Sequence, residues 1–597
     1  MLSMYISHLT PKTLHAAILR GCQSVVAARE QLNEINVFPV ADGDTGDNLA
    51  STANAIIRYS EPKASFQAML NAVADASVLG ARGNSGLIFS QFFNALANHP
   101  CHKETMNTFD FAETLVDVAQ RVRASLSSPM DGTILTMVEL FANTLSLPQN
   151  VASCFNEAFS QLLPVLQDTL NKTTQAIPVL QQANVVDAGA LGFYLFVQGF
   201  ANFTAATSYD DLPQHDSSIR RFVHEPHAVG ARPLNRYCTE AVLRADRIDE
   251  AHLMQLLEVH GDSLGFAGNE RVGRFHIHTN TPAAVFSTLI DHGVIEHPKV
   301  DDMLRQFEVT HERKHDIALV TDSCADIPQV LTDEYQVHVI PVNVHLDEHS
   351  LLDRHCFDAD TFYQRLLCLK KHPKTSLPSL TLIEEKLHYL SQHYREVIVL
   401  CVAKPMSGTY DAMVQTAKKY SNITVIDSRT NSGGQGLLVQ YAGELISKKL
   451  PVRKIIESIE AAINDSYLFV MVNELDAMIR SGRISKIAGL LGQFSRIKPI
   501  ISFDKEGNGI FQASAFNAKK ALFKMINCVQ EIKLKTGREL DRYCIVHAGV
   551  KEKAHEFAVL TTQALKLPPA YIEDVSTAIG LHAGYGCIEL AIKMKDV

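Results

Sequence analysis

The sequence predicts a multidomain protein: an all-α N-terminal domain, a small α/β domain, and a large two-lobed α/β domain. The chain has 597 residues, and at roughly 100–200 residues per domain that makes three or four domains. Apolar residues recur at helical spacing up to residue 205 with almost no strand-like alternation. From residue 315 onward the pattern changes to short β-rich runs separated by helical stretches, the signature of a largely parallel sheet covered by helices.

The first helix is opened by Thr10-Pro11, a capping residue followed by a proline tolerated in the first turn. LHAAILRGCQSVVAARE continues it, and Ser65–Leu79, Phe111–Leu126, Thr133–Leu145, Ala152–Leu170 and Gly189–Phe203 repeat the pattern. Residues 1–205 therefore read as a helical bundle or barrel with its chemistry in the interhelical loops. Residues 206–233, polar and proline-bearing, read as a linker. Residues 234–312 read as the small α/β domain. CTEAVLRA and RVGRFHIHTN are its strands, IDEAHLMQLLEVHG is a helix, and Thr281-Pro282 opens another. In residues 315–597 the strands are HDIALVTDS, YQVHVIPVNVHL, YREVIVLCVA, SNITVIDS, SYLFVMV, DRYCIVHAG and IELAIKM. The two lobes divide near residue 450, and KPIISFDKEGNGIFQASA forms a hairpin around Gly507–Gly509.

Composition excludes several classes. The chain is 46% hydrophobic and 20% charged, which suits globular domains rather than disorder. A net charge of −10 argues against a binder of nucleic acid or anionic membrane. The 11 cysteines contain no CxxC and fit a reducing compartment. The N-terminus lacks a basic start, apolar run and cleavage site, and the most apolar stretch, Ala190–Phe203, is too short to span a bilayer. These readings predict a cytoplasmic protein without a transmembrane segment.

The sharpest local signal is LNEINVFPVADGDTGDNLAST. Asp42 and Asp44 in a glycine-interrupted loop can share hard, oxygen-preferring cations such as Mg²⁺, with Asn36 as a neutral oxygen donor nearby. Gly43 and Gly46 let the loop bring its amides near an anion, and Thr45 and Asn48 can hydrogen-bond phosphate. Alone, the motif also fits a calcium loop or a capped turn, although it lacks the full EF-hand spacing. LGARGNSGLIFSQFF adds Gly83, Asn84, Ser85 and Gly86 at a helix start, where phosphate is readily cradled. SSPMDGTILTM contributes Asp131, Gly132 and Thr133, and VVDAGALGFYLF contributes Asp187, Gly189 and Gly192. Four Gly/Asp turns, each opening an apolar helix, point to a polyphosphate site at one end of the bundle, with Mg²⁺ offsetting phosphate charge. Asp131 has a second reading as a helix cap.

In FHIH, His276 and His278 lie two apart on a strand and face one side. With Cys238 on an adjacent strand, the three can bind Zn²⁺ with a fourth position open; a polar cluster serving fold or interface is the alternative. In the C-terminal region ALVTDSCADIP ends a strand in small polar residues, a ligand-facing arrangement at the carboxyl end of a parallel sheet. Thr375, Ser376, Ser407, Gly408 and Thr409 are donors for a carboxylate, Arg483 is a charged partner, and His582 can donate near a transferred group. No GxSxG elbow supports a hydrolase.

These motifs carry a family resemblance over nearly the whole chain. Residues 1–205, through NEINVFPVADGDTGDN, GARGNSG, DGTILT and VVDAG, resemble the DAK2 domain, the nucleotide-binding helical barrel of dihydroxyacetone kinases and bacterial fatty acid kinases. The fatty acid kinase subunit is the better match, because no histidine-bearing ketone domain of the dihydroxyacetone type is found. The resemblance implies that Asp42 and Asp44 hold two Mg²⁺ bridging ATP phosphates, with Asn36 at a third ligand position; where this chain has Asp131, family members often have Glu. YCTEAVLR, GDSLGFAG, GRFHIHTNTP and DDMLRQ resemble the middle domain of the same kinase, which implies homodimer formation and a metal site at Cys238, His276 and His278. Residues 315–597 resemble the DegV fold through VTDSCADIP, TSLPS, SGTYDA, IDSRTNSGGQG, GRISK, IKPII and HAGYG. That implies a fatty carboxylate at Thr375, Ser376 and Ser407, an acyl chain between two lobes, and Arg483 and His582 near the head group. Leu377 departs from the Gln common in the family. The expected reaction is ATP-dependent phosphorylation of a fatty acid to acyl phosphate, consumed downstream by an acyl-phosphate-using acyltransferase. A kinase for another small substrate and a lipid-binding regulator are the alternatives.

Overall fold

The computed structural model describes residues 6–38, 43–100, 103–126, 129–151, 154–205, 232–368, 372–473, 478 and 497–596. Nearly all of the expected linker, residues 206–231, lies outside these, as do Asp42 and Arg483. The chain divides into two compact units, Met1–His311 and Glu312–Val597.

The first unit begins with eleven helices: α1 (Pro11–Ala27), α2 (Arg29–Glu34), α3 (Thr45–Tyr59), α4 (Phe66–Gly80), α5 (Gly83–Asn98), α6 (Thr108–Ala124), α7 (Ile134–Leu145), α8 (Pro148–Val151), α9 (Phe155–Ala176), α10 (Pro178–Ala183) and α11 (Ala188–Ala205). Local chemistry sets several starts. The Thr10 hydroxyl accepts from the Thr13 amide while Thr13 returns a bond to the Thr10 amide, a reciprocal cap ahead of Pro11. Ser65 caps α4 and Thr133 caps α7. The core is a cluster of phenylalanines from α5, α6, α7, α9 and α11, with Phe92, Phe193 and Phe196 in edge or tilted contact and Phe111 stacked on Phe200 at 5.8 Å. Helices α1 and α11 cross closely. A Cβ on Gly21 would come within 2.7 Å of the Phe196 carbonyl oxygen, and one on Gly199 within 2.9 Å of that of Arg20. No described helix is long and apolar enough to cross a membrane.

The same unit ends in a four-stranded antiparallel sheet ordered β2-β3-β1-β4, from β1 (Tyr237–Arg244), β2 (Gly261–Gly268), β3 (Val272–Thr279) and β4 (Val294–Asp302). Helices α12 (Glu250–Glu258), α13 (Pro282–Ile290) and α14 (Met303–His311) complete it. β1, β3 and α12 are where the pattern placed them. β2 and β4 were not expected, since a glycine-rich run and VIEHPKVDD do not read as strands. The sheet packs on the bundle, with β2 against α5.

The second unit has two lobes. In the first, the sheet β11-β10-β5-β6 is parallel, formed from β5 (Ile317–Asp322), β6 (His338–Ile340), β10 (Glu396–Cys401) and β11 (Ile423–Asp427). A small antiparallel sheet joins β7 (Asn343–Leu346), β8 (His349–Leu352) and β9 (Lys374–Ser376). The second lobe holds six strands ordered β14-β13-β12-β17-β15-β16: β12 (Ser466–Met471), β13 (Lys498–Phe503), β14 (Gly509–Ala515), β15 (Leu540–His547), β16 (Ile572–Asp574) and β17 (Ile588–Met594). Here the expectation of a largely parallel arrangement fails. Only β15–β16 pair parallel, and the other ladders are antiparallel. The hairpin β13–β14, turning at Gly507 (φ +83°), forces one such pair. The helix Ser432–Ser447 packs against strands of both large sheets and is buried almost throughout.

Candidate functional site

Two sites emerge, one in each unit. In the first unit, the N-termini of α3 and α5 meet one face of the antiparallel sheet. The space between is lined by Asn36, Asp44, Thr45, Asn48, Gly83, Asn84 and Ser85 from the bundle, and by Cys238, His276, His278, Lys299, Asp301, Met303 and Gln306 from the sheet side. Two helix N-termini aimed at one space favour an anion there.

The loop before α3 is held from within. Asn36 Oδ1 accepts from the amides of Asp44 (3.1 Å) and Thr45 (2.8 Å), so this oxygen shapes the loop. Asp44 Oδ1 accepts from Asn48 Nδ2 at 2.8 Å. Asp47 is drawn away, paired with Arg29 and accepting from Asn33 Nδ2. Gly46 packs on the Arg29 carbonyl, and Gly86 on Asn48 and Thr52, so both serve close approach. Gly83 has φ +56° and faces Asn48, where a side chain would be strained and crowded.

Of the remaining expected residues, Asp187 and Gly189 lie beside this core. Asp187 Oδ1 caps α11 through the Ala190 amide (2.7 Å), and burial pushes its pKa up to about 7. Gly189 brings that turn to Ser85, whose Oγ would be 3.1 Å from a Cβ on the glycine. Asp131, Gly132 and Thr133 do not line the space. Asp131 is exposed and pairs with Arg123 at 2.7 Å, and Thr133, not Asp131, caps α7.

The sheet side follows from register. Cys238 pairs across β1 with His278 on β3 and Asp301 on β4, while Glu240 pairs with His276 and Lys299. Paired residues share a face, so these six side chains form two adjacent rows. Ligand atoms of Cys238, His276 and His278 all lie within 4.8 Å of one another. His276 Nδ1 is 3.1 Å from Glu240 Oε1 and 3.7 Å from Cys238 Sγ. With Nδ1–H donating to the carboxylate, Nε2 carries the lone pair, and this buried atom has no hydrogen-bond partner among the described residues. Burial and His276 lower the His278 pKa to about 4, keeping it neutral as a metal ligand requires, whereas burial and Glu240 raise the Cys238 thiol. A thiolate here needs a cation beside it. This donor set of one sulfur and two imidazoles fits Zn²⁺ with a fourth position open.

Glu240, Lys299 and Asp301 were missed from sequence. Glu240 is buried; burial opposes its charge, but Arg274 at 2.7 Å outweighs that and holds its pKa well below the usual carboxylate range. Its Oε1 also accepts from the Gly83 amide at 2.5 Å, so one carboxylate joins the histidine to the turn that opens α5. Burial works against Lys299, but Asp301, Glu240 and Asp44 raise its pKa. The signal was present: in YCTE, Cys238 and Glu240 are two apart, as are the histidines of FHIH.

The second site is an apolar cavity of about 320 Å³ in the second unit. Thr375, Ser376, Leu377, Ser407, Gly408 and His582 line it, together with Val342, Val470, Ile501 and Phe503. Thr375 Oγ1 lies 2.9 Å from His582 Nε2, and Ser407 Oγ 2.8 Å from Thr409 Oγ1. Five of the expected head-group residues thus meet at one cavity, and Thr409 stands behind Ser407. Leu377 contributes an apolar wall where an amide was common in the resemblance. Cys324, Asn431 and Glu589 also line the cavity and were not foreseen.

Residues 316–594 match the model of an uncharacterised protein family, DegV; residues 39–202 match the DAK2 domain; and residues 235–310 match the FakA-like middle domain, that of fatty acid kinases. The chain joins a DAK2 domain to a DegV domain. The DAK2 domain is the helical barrel, the middle domain carries the Cys–His rows, and the DegV domain is the two-lobed unit. Protein YloV of Bacillus subtilis is 28% identical over 318 residues, which cover 51% of this chain and 57% of YloV. The chain thus spans little more than half of that relative. A DegV domain-containing protein of Clostridium acetobutylicum is 28% identical over 47% of this chain and 99% of its own length. Among solved structures, DegV, a fatty acid binding protein from Bacillus subtilis, is 26% identical, with 47% of this chain and 100% of that chain covered and a TM-score of 0.43. The fatty acid binding DegV family protein SAG1342 from Streptococcus agalactiae is 27% identical, with 47% and 99% covered and a TM-score of 0.44.

Proposed function

We propose that the chain is an ATP-dependent fatty acid kinase. The single observation that carries this is the pairing, on one polypeptide, of an anion-favouring space beside Asp44 with an apolar cavity that gathers hydroxyl, amide and imidazole donors. Asp44, with Asp42, would hold Mg²⁺, which neutralises phosphate charge. Thr45, Asn48 and the Gly83–Ser85 turn would bind the ATP phosphates. Thr375, Ser376, Ser407, the Gly408 amide and His582 would orient the fatty carboxylate, with Arg483 as a further partner. In the reaction a carboxylate oxygen attacks the γ-phosphorus, the bond from that phosphorus to the β-bridging oxygen breaks, and ADP leaves. Little covalent help is needed beyond alignment and charge neutralisation. Each buried methylene of the acyl chain contributes about 0.8 kcal/mol to holding the substrate. Zn²⁺ at Cys238, His276 and His278 would order the sheet against the phosphate-binding turn. A homodimer through the middle domain and a downstream acyltransferase complete the reading.

The test is to incubate the full chain with Mg²⁺, ATP and saturated C14–C18 acids, trapping acyl phosphate with hydroxylamine. Hydroxamate dependent on both ATP and acid is expected, and Asp44→Ala should reduce it at least ~100-fold. Tight acid binding without hydroxamate would favour a lipid-binding regulator instead.

A further inference from the structure

The DegV-type cavity contains one feature that a plain hydrocarbon ligand does not use. Its floor includes a row across the six-stranded sheet, Ile501 on β13, Val470 on β12 and Glu589 on β17, paired in register and therefore on one face. Two members are aliphatic. The third is a carboxyl group, 1% exposed, whose Oε2 has no hydrogen-bond partner among the described residues.

Buried polar atoms are normally hydrogen-bonded, and one left unpaired is costly. Ser432 and the Gly433 amide reach this carboxyl group, yet its Oε2 is left without a partner among the described residues. The Ser432 hydroxyl donates to Asp326 Oδ2, and Asp326 in turn takes Arg354 and the Ser576 amide. The hydroxyls at the head-group end pair with other residues and not with Glu589: Thr375 with His582, Ser376 with His345 and Ser407 with Thr409. No cation pairs with Glu589 among the described residues. Burial, with Asp326 adding to it, raises its pKa to about 8 against the pull of Ser432 and the Gly433 amide, so at neutral pH the group is a carboxylic acid that both donates and accepts.

We infer that this cavity selects an oxygenated acyl chain, with Glu589 hydrogen-bonded to a hydroxyl or oxo group carried along the chain. The inference rests on the fatty-acid reading of the cavity and deepens it. A hydroxyl answers both capacities of a carboxylic acid, and a ketone answers the donor. An unsubstituted chain answers neither and buries Glu589 against methylenes. A site built to bond such a group discriminates against the analogue that lacks it.

The test uses the delipidated full chain and measures dissociation constants for octadecanoic acid and for a positional set of hydroxy- and oxo-octadecanoic acids. Wild type is expected to bind its best oxygenated acid about tenfold or more tighter than octadecanoic acid. Glu589→Leu, close in volume, should erase or reverse that preference while still binding octadecanoic acid. Glu589→Gln, which keeps a donor and an acceptor, should retain most of it. Wild type binding all the acids alike, or Glu589→Leu keeping the preference, overturns the inference while leaving the fatty-acid reading standing. Failure of wild type to bind any of the acids overturns both.

Discussion

Asp44 and Asp187 are the same residue type in similar glycine-bearing turns, and their surroundings give them different work. Asp44 lines an open space beside two helix N-termini and accepts a hydrogen bond from the Asn48 side chain. Asp187 is buried, spends Oδ1 on the Ala190 amide and has its pKa raised by that burial from 3.8 to about 7. Below pH 3.8 it is protonated in the folded and unfolded chain alike. Between there and about 7 the folded chain keeps a proton the unfolded chain has lost, so this group's contribution to stability falls as pH rises through that window. Asp187→Asn keeps the oxygen that caps α11 and removes the titration. The variant should therefore melt higher than wild type above pH 7, with the gap closing toward pH 4. A gap independent of pH in thermal unfolding would show that Asp187 is not the buried titrating group described.

At the scale of elements, β1 ties the two halves of the first unit together through Glu240. Its carboxylate takes the His276 ring, the Arg274 guanidinium and the Gly83 amide at once. Partners of this kind orient metal-binding histidines, and losing one weakens metal affinity about 10- to 100-fold. Glu240→Gln should reduce the Zn²⁺ affinity of the full chain by that factor in chelator competition, and weaken Mg²⁺·ATP binding as the Gly83 turn loosens. Unchanged affinity for both would detach Glu240 from the site. The same strand shows what was legible in the sequence. Cys238, His276 and His278 stood out because metal-ligand types at strand spacing need only the local pattern. Glu240, Lys299 and Asp301 needed the register of β1 against β4, and β4 was hidden because Pro298 and its charges mask the alternation. The helices α1, α4, α6, α7, α9 and α11 were legible from the 3.6-residue period of their apolar positions, with the Thr10-Pro11 cap opening α1. The antiparallel order of the second lobe was not, because a strand buried on both faces reads the same whichever way its neighbour runs. Asp131 looked like its neighbours in sequence, yet it stands exposed beside Arg123, since a turn's motif does not say which way the turn points.

For the whole molecule, the question is what joining a DAK2 domain to a DegV domain achieves under the proposed function. Each unit is compact by itself, with its own buried core, so a two-protein arrangement would be physically sufficient. For the proposed reaction, covalent connection would replace a bimolecular encounter between the acid-holding and phosphate-binding parts with an effective concentration that can reach the millimolar range for a short flexible connection. That advantage is greatest when the protein is dilute. With acid and ATP saturating, acyl-phosphate formation per molecule of intact chain should stay constant as the protein is diluted through the nanomolar range. A mixture of Asp44→Ala with Thr375→Val, the first impaired at the phosphate site and the second at the carboxylate, should recover activity only at high concentration and lose it on dilution. If the intact chain also loses specific activity in proportion to dilution, transfer runs between separate molecules, and the fusion would then serve matched production of the two parts rather than catalysis. If the mixture keeps its activity when dilute, the two variants exchange within a stable assembly, and carboxylate and phosphate are supplied by different copies of the chain.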